Sequence, residues 1–507
     1  TITGSGPITD IQNCDANNGG GLWLGAGTTC TLTNLAMQDC TATVGDGGFV
    51  YINNGATATL TGGSHTNGGA ARHGGAFHIE SGGVLDVSGS ATVQGCSTTS
   101  GNGGVVSIIG TAQASFDGVT ITGNSSGDAG GVAWLETAGV LLIDDSTITN
   151  NTADGHGGAV SSDTAGAISL LGSTSLTGNQ SGEDGGHLHF VDAGVSTPLQ
   201  LTISATTVTI QNGTAGGRGG AIRLGNQSSW AFDGGSIMDL SGHTSTDHGG
   251  ALSVGENATL TLSNIDMTNC DTTTGDGGGL HGELGSSVDL SNVVFDNCGA
   301  DLGCGGAVAS VDVNTMTLNN CSLINSHAGS GGGICGETND PAAVVGTITV
   351  VDSAFADNSA TEDGGDICMT SGLLSNIANP LDVSGDTTFA NSLAGDRGGS
   401  IFLSGVADHT ITSTSTGATF NGCQAMTGGA ISAFDGPTVT ASSCTMQQCD
   451  VTMDGGAVSA EDASEVILTA MTLSNNQANG DGGHLWAAGG STITAISTTL
   501  GGGSAAR

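Results

Sequence analysis

The stretch Gly155-His156-Gly157-Gly158-Ala159-Val160 decides how this chain is read. A Gly-Gly pair followed by a short apolar strand recurs along the 507 residues, its first glycine at 19, 47, 74, 103, 130, 157, 185, 219, 249, 277, 305, 331, 364, 398, 428, 455 and 482. The intervals run from 26 to 34 residues, which leaves no room for a second globular domain between pairs. His156 therefore belongs to a repeat before it belongs to any active site.

Inside each repeat the apolar residues alternate, the period of a strand. The second residue after the pair is Val, Ile, Leu or Phe almost throughout (Leu22, Val50, Phe77, Val160, Leu188 and on to Leu485), with Ala133 the exception. A second alternating strand follows, as in 258–264, and a third closes the unit, as in 146–151. Such strands cannot bury a face alone. Stacked as coils about 4.8 Å apart they enclose a continuous core, and the glycines serve the tight corners. The expected fold is all-β: a single parallel β-helix solenoid of about 17 coils with three short strands per coil. The crossover bias favours right-handed coiling, and the rod should be on the order of 80 Å long. A lead-in at 1–18, the array at 19–499 and a Gly/Ser/Ala tail at 500–507 complete the expected layout.

Composition narrows the function classes. Net charge is −41, from 46 acids against five arginines and no lysine. Nothing can neutralise phosphates, so nucleic acid and anionic membranes are excluded as partners. No apolar run reaches the length of a membrane span, so no membrane insertion is expected. The chain starts at Thr1 without Met or signal peptide and ends in Gly-Gly-Gly-Ser-Ala-Ala-Arg. These termini predict a secreted, proteolytically processed product at the cell surface or outside the cell. The 13 cysteines show no CxxC spacing and so no zinc-ribbon pattern.

A second mark precedes the glycines: an apolar residue, two spacers, then Asn or Cys, as in Ile121–Asn124, Ile148–Asn151, Phe355–Asn358 and Met446–Cys449. Together with teeth such as Gly157-Gly158-Ala159-Val160 and Gly219-Gly220-Ala221-Ile222, this resembles the GGA[I/V/L]/FxxN repeats of the chlamydial polymorphic outer-membrane proteins. The resemblance implies a surface-exposed β-helix passenger involved in adhesion. Strict FxxN survives only at Phe355–Asn358, and no translocator barrel follows in this sequence.

In stacked coils, chemistry lies in columns. The residue before the Gly pair forms a polar ladder that includes Asp46, His73, His156, Asp184, Arg218, His248, Asp276, Asp363 and Arg397. Neighbouring charges are mostly complementary, so the column is expected to avoid stacking like charges one strand spacing apart. Asp454 beside Asp481 is the exception, where stacked carboxylates offer a possible calcium site. No other cofactor is expected. The third residue after the pair falls between two inward positions and is expected to point outward. That column holds Trp23, Tyr51, His78, Trp134, His189, Arg223, His281, Phe402 and Trp486, in a chain only 3% aromatic. Exposed aromatics on a rigid sheet suit sugar stacking or a protein interface. Column neighbours also suggest disulfides at Cys335–Cys368 and Cys270–Cys298, with Cys14–Cys30 stapling the first coil.

These readings point to an extracellular structural and adhesive protein. It would assemble with copies of itself head to tail into a filament or stalk, and contact glycans or proteins at the cell surface. The alternative is a polysaccharide-binding or polysaccharide-cleaving β-helix protein. Gly155-His156-Gly157, eleven residues after Asp144-Asp145, resembles the pectin-hydrolysing glycosidases, but a basic partner is missing and a polyanionic substrate would be repelled. No catalytic residue is assigned, and the expectation is that the chain is not an enzyme.

Overall fold

The computed structural model describes residues 2–4, 10–163, 166–191, 200–204, 208–338, 346–371, 380–412 and 418–506. Among the described residues every regular element is a β-strand, and the strands pair in parallel from turn to turn. Two compact units, Thr1–Ser245 and Thr246–Arg507, are built from the same turn. The fold is a parallel β-solenoid.

The turn that starts at Gly157 shows the plan. Its four strands are Val160–Ser162, Ala167–Leu171, Ser175–Thr177 and Gln180–Ser181. They belong to four ladders, here sheets I to IV. The expected three strands per turn hold where the second and third are continuous, as in Thr259–Thr268 and Ser287–Asp296, whereas here a single-residue break sets off a fourth. After Thr147–Thr149, Asn150 adopts a left-handed backbone with φ of 55°, and the two-residue strand Thr152–Ala153 follows. Asn tolerates that conformation at little cost, which is why Asn and Asp recur at this bend.

Register fixes the core. In the first unit, Leu22, Val50, Phe77, Val106, Ala133, Val160, Leu188 and Ile222 are Cα partners down sheet I. In the second unit, Leu252, Leu280, Val308, Ile334, Ile367, Ile401, Ile431, Val458 and Leu485 repeat the column. The expected apolar column is therefore present in both, and Ala133 keeps its place in it. Sheet III supplies the phenylalanine stack Phe355–Phe389–Phe420, with ring centroids 4.9 and 4.6 Å apart. Burying each such ring contributes on the order of 1.5–3 kcal/mol.

The inward corner between sheets III and IV is polar but satisfied. Asn124, Asn151 and Asn179 are buried there in consecutive turns. The Oδ1 of Asn151 accepts both the backbone N–H of Asn124 (3.0 Å) and its Nδ2 (2.8 Å), and Asn179 does the same for Asn151. Where this corner residue is glycine, a neighbour fills the space: the Phe49 ring stands where a Cβ on Gly68 would go, and the His187 ring does so for Gly213. The ladders also run past the expected bounds of the array. Asp10–Gln12 and Asp15–Ala16 precede residue 19, and Thr499–Gly501 and Ser504–Ala505 lie at its far side.

Burial leaves several histidines neutral inside. It pushes His65, His243 and His409 each down to about 4. The unfolded chain then binds more protons than the folded one between the ordinary value of 6.5 and about 4, so stability falls as pH drops through that window. Asp366, pushed up to about 7 by burial, acts in the opposite sense and favours the folded state at low pH. Comparing wild type with His65→Leu by denaturant unfolding isolates the histidine effect. The variant should gain stability over wild type as pH falls from 6.5 to about 4, by on the order of 1–3 kcal/mol. A difference that stays constant with pH would contradict this account.

Candidate functional site

The Gly pair builds a corner with a specific chemistry. Gly157 has φ of 66°, and a Cβ there would strike the carbonyl oxygen of Val160. A Cβ on Gly158 would strike the carbonyl of Gly186 in the next turn. With no side chains at the pair, the residue before it can fold its own side chain along the solenoid axis. Its acceptor then takes the backbone N–H of the equivalent residue one turn on. Asn18 Oδ1 accepts from Asp46 (3.0 Å), Asp46 Oδ1 from His73 (2.9 Å), His73 Nδ1 from Asn102 (3.1 Å) and Asn102 Oδ1 from Ala129 (3.0 Å). The same bond recurs from Asp184 to His156, Arg218 to Asp184, Asp276 to His248, and Arg397 to Asp363.

This changes the reading of the polar ladder. Where it holds Asn, Asp or His it is a column of side-chain acceptors for main-chain donors, since these residues place an acceptor at that reach. The charge complementarity expected between neighbours holds at His248 and Asp276, whose Nδ1 and Oδ2 lie 3.4 Å apart, and is redirected elsewhere. His156 makes its ion pair with Glu183, at 2.8 Å, and meets Asp184 through the main chain. The Arg397 guanidinium lies over the Phe434 ring, 4.1 Å from its centroid, and Asp363 accepts from the Arg397 main chain. Asp454 likewise spends Oδ1 on the N–H of Asp481, at 2.5 Å. The pair expected as a calcium site is thus a rung of the same ladder.

The third-residue column is not outward in the way alternation suggests. His78, Trp134, His189, Arg223, His281 and Phe402 are all buried, and Tyr51 and Trp486 are half-buried. Only Trp23 stays open, at 54%. The cover is the ladder itself, whose side chains lean over this column. His73 stacks on Trp134 at 5.1 Å, His156 on His189 at 4.2 Å and His248 on His281 at 4.4 Å. Arg397 also reaches the Phe402 ring, 6.0 Å from its centroid. Ladder and column form one seam outside the apolar core.

In the first unit the seam opens into a cleft of about 320 Å³, lined by Asp46, Tyr51, Arg72, His78, Glu80 and Glu136 among others. The Tyr51 hydroxyl donates to Glu80 Oε1 at 2.5 Å, and His78 Nε2 lies 3.6 Å from the same oxygen. Burial and the Glu80 carboxylate push the Tyr51 phenol well above its ordinary value, so it remains a donor. Trp23 and Tyr51 stack at 6.4 Å with planes 15° apart, and Tyr51 meets His78 at 4.8 Å. A stepped aromatic floor therefore runs beside three carboxylates. Sequence reasoning missed Glu80 and Glu136. Each lies two residues beyond the aromatic column, a position also held by Asp163, Glu283, Glu337 and Glu461, so a third column search would have found them.

The cysteines pair differently from expectation. Cys304 of the ladder and Cys335 of the next turn's third-residue column form a disulfide with Cα atoms 5.5 Å apart. Cys335 and Cys368 are register partners, but Cys368 is a buried thiol. Side chains in one column run parallel, whereas the ladder residue leans over the column and meets it. Cys270 and Cys298 also remain thiols, with Cys298 Sγ 3.5 Å from the carbonyl oxygen of Met267. Cys14 and Cys30 stay unbridged as well: Cys14 Sγ faces the carbonyl of Gln12, while Cys30 is buried in sheet II.

No protein-family model, curated protein or solved structure matches this chain. The ladder is checked by Asn102→Ala, which orphans the Ala129 N–H and should lower the unfolding free energy by about 1 kcal/mol. Asn102→Asp keeps the acceptor and should cost clearly less in the same denaturant titration.

Proposed function

We propose that this protein is a structural and adhesive β-solenoid of the cell surface or extracellular space, and that the Tyr51 cleft, together with the Trp23 indole stacked on Tyr51, is its contact site for neutral glycans. The observation that carries the reading is the open Trp23 indole stacked on Tyr51, itself a lining residue of the acid-lined cleft. A sugar ring offers an apolar C–H face to an indole and hydroxyl donors to carboxylates, and this cleft presents both partners side by side. The net charge of −41 disfavours anionic polymers and leaves neutral sugars as the class that fits. Two of the three acids are engaged as acceptors, Glu80 by Tyr51 and Asp46 by the His73 main chain, which supports binding over hydrolysis. The resemblance to passenger repeats of polymorphic outer-membrane proteins supports the adhesive side. Head-to-tail assembly with copies of itself belongs to the same proposal, since each turn pairs with its neighbour in one direction and a second copy can extend that pairing.

Screening the chain against neutral oligosaccharides by array and calorimetry tests the site. Trp23→Ala should weaken binding about tenfold or more while leaving the circular dichroism spectrum unchanged, because this indole is exposed. Absence of any glycan binding, or binding indifferent to Trp23→Ala, would sink the proposal. Hydrolysis of the bound glycan would favour the enzyme reading instead.

A further inference from the structure

We propose that each unit carries one site for a divalent transition-metal ion of the zinc class: His156, Asp184 and His189 in the first, His248, Asp276 and His281 in the second. In each trio one ligand atom per residue lies within 4.8 Å of the others. The two trios occupy the same register. A ladder His is followed 28 residues later by a ladder Asp, and five residues after that by a column His, in both units. The match extends to their surroundings: Ser161 is the register partner of His189, and Ser253 of His281.

The solenoid needs only part of this set. Most ladder positions use an acceptor, which His and Asp supply. The third-residue position calls for nothing in particular and is Ser at 107, 161, 253, 432 and 459. Histidine appears there, buried face to face on a ladder histidine, in the same two turns that bring in a ladder aspartate.

The chemistry of the donors fits. Asp184 and Asp276 each spend Oδ1 on the next turn's backbone N–H, at 2.8 Å in both cases, which fixes the carboxylate. In the second unit Asp276 Oδ2 lies 3.4 Å from His248 Nδ1, a gap that an ion about 2.0–2.2 Å from each would span. The ladder histidines accept a backbone N–H at Nδ1, at 3.2 and 3.0 Å, so a neutral ring carries its proton on Nε2. The ion would take that Nδ1 lone pair in place of these bonds. Glu183 holds His156 Nε2 at 2.8 Å, the outer carboxylate that commonly orients a ligating imidazole. Two imidazoles and one carboxylate favour zinc, cobalt or nickel over magnesium and calcium. The paired rings are 13° and 20° from parallel, so one ring of each pair must turn for the lone pairs to converge. Arg223 is the register partner of His189, whereas Ala309 is that of His281, so the second unit's site should bind more tightly.

Zinc and cobalt binding to the full chain in excess magnesium, followed by calorimetry and by cobalt absorption, tests this. Two ions per chain are expected, with His189→Gln and His281→Gln each removing one. Asp184→Asn and Asp276→Asn keep the Oδ1 acceptor and hence the ladder. Each should weaken its own site about tenfold or more without changing the metal-free melting temperature. Failure to bind zinc in excess magnesium, or a stoichiometry of two that survives either substitution series, would overturn the proposal.

Discussion

The two-glycine corner, hydrogen-bonded to the corner of the next turn, is the constraint on which the rest of the structure depends. Gly157 N–H donates to Asp184, and Gly158 N–H to Gly185, in a main-chain ladder that excludes any side chain at the pair. Stripped of side chains, the corner lets the preceding residue fold over and cap the following turn. It also lets that residue cover the strand that follows. The acceptor ladder, the buried third-residue column, the Cys304–Cys335 bridge and the cleft at Tyr51 all follow from this one permission.

The same economy governs the interior. With only 11 phenylalanines, the core relies on short aliphatic columns and on a corner where Asn, Cys, Ser, His or Gly trade places. Each choice is matched by a neighbour. Asn pairs with Asn down the axis, Gly makes room for a ring, and Asn358 donates to the buried carboxylate of Asp366 at 2.9 Å. Polar groups buried in this way stabilise a defined register only because their partners are supplied turn by turn.

The apolar columns and the parallel solenoid were legible in the sequence because period-two alternation and repeated glycines report the backbone directly. The closing two-residue strand was not, because two residues are too few to show alternation and the Asn150 bend hides its start. The third-residue column was read as open for a different reason. Alternation tells which face of a strand a residue occupies, and it cannot tell that a ladder such as His73, His156 and Arg397 folds back over that face. The disulfide was misassigned by the same omission, since column equivalence predicts neighbours such as Cys335 and Cys368 but not a side chain that leans between columns. Of the candidate cleft, Tyr51, His78 and Asp46 were legible as column members, as was the Trp23 indole stacked on Tyr51. Glu80 and Glu136 emerge only when the strand is followed two residues further.

The most direct measurement of the central claim is native-state hydrogen exchange at the backbone amides that the ladder side chains cap. The amides of Asp46, His73, Asn102 and Ala129 lie at a surface corner, where uncapped N–H groups exchange quickly. This account predicts that they exchange as slowly as the sheet I amides of the same turns. Exchange of these four amides at the rate of the exposed turns would contradict it.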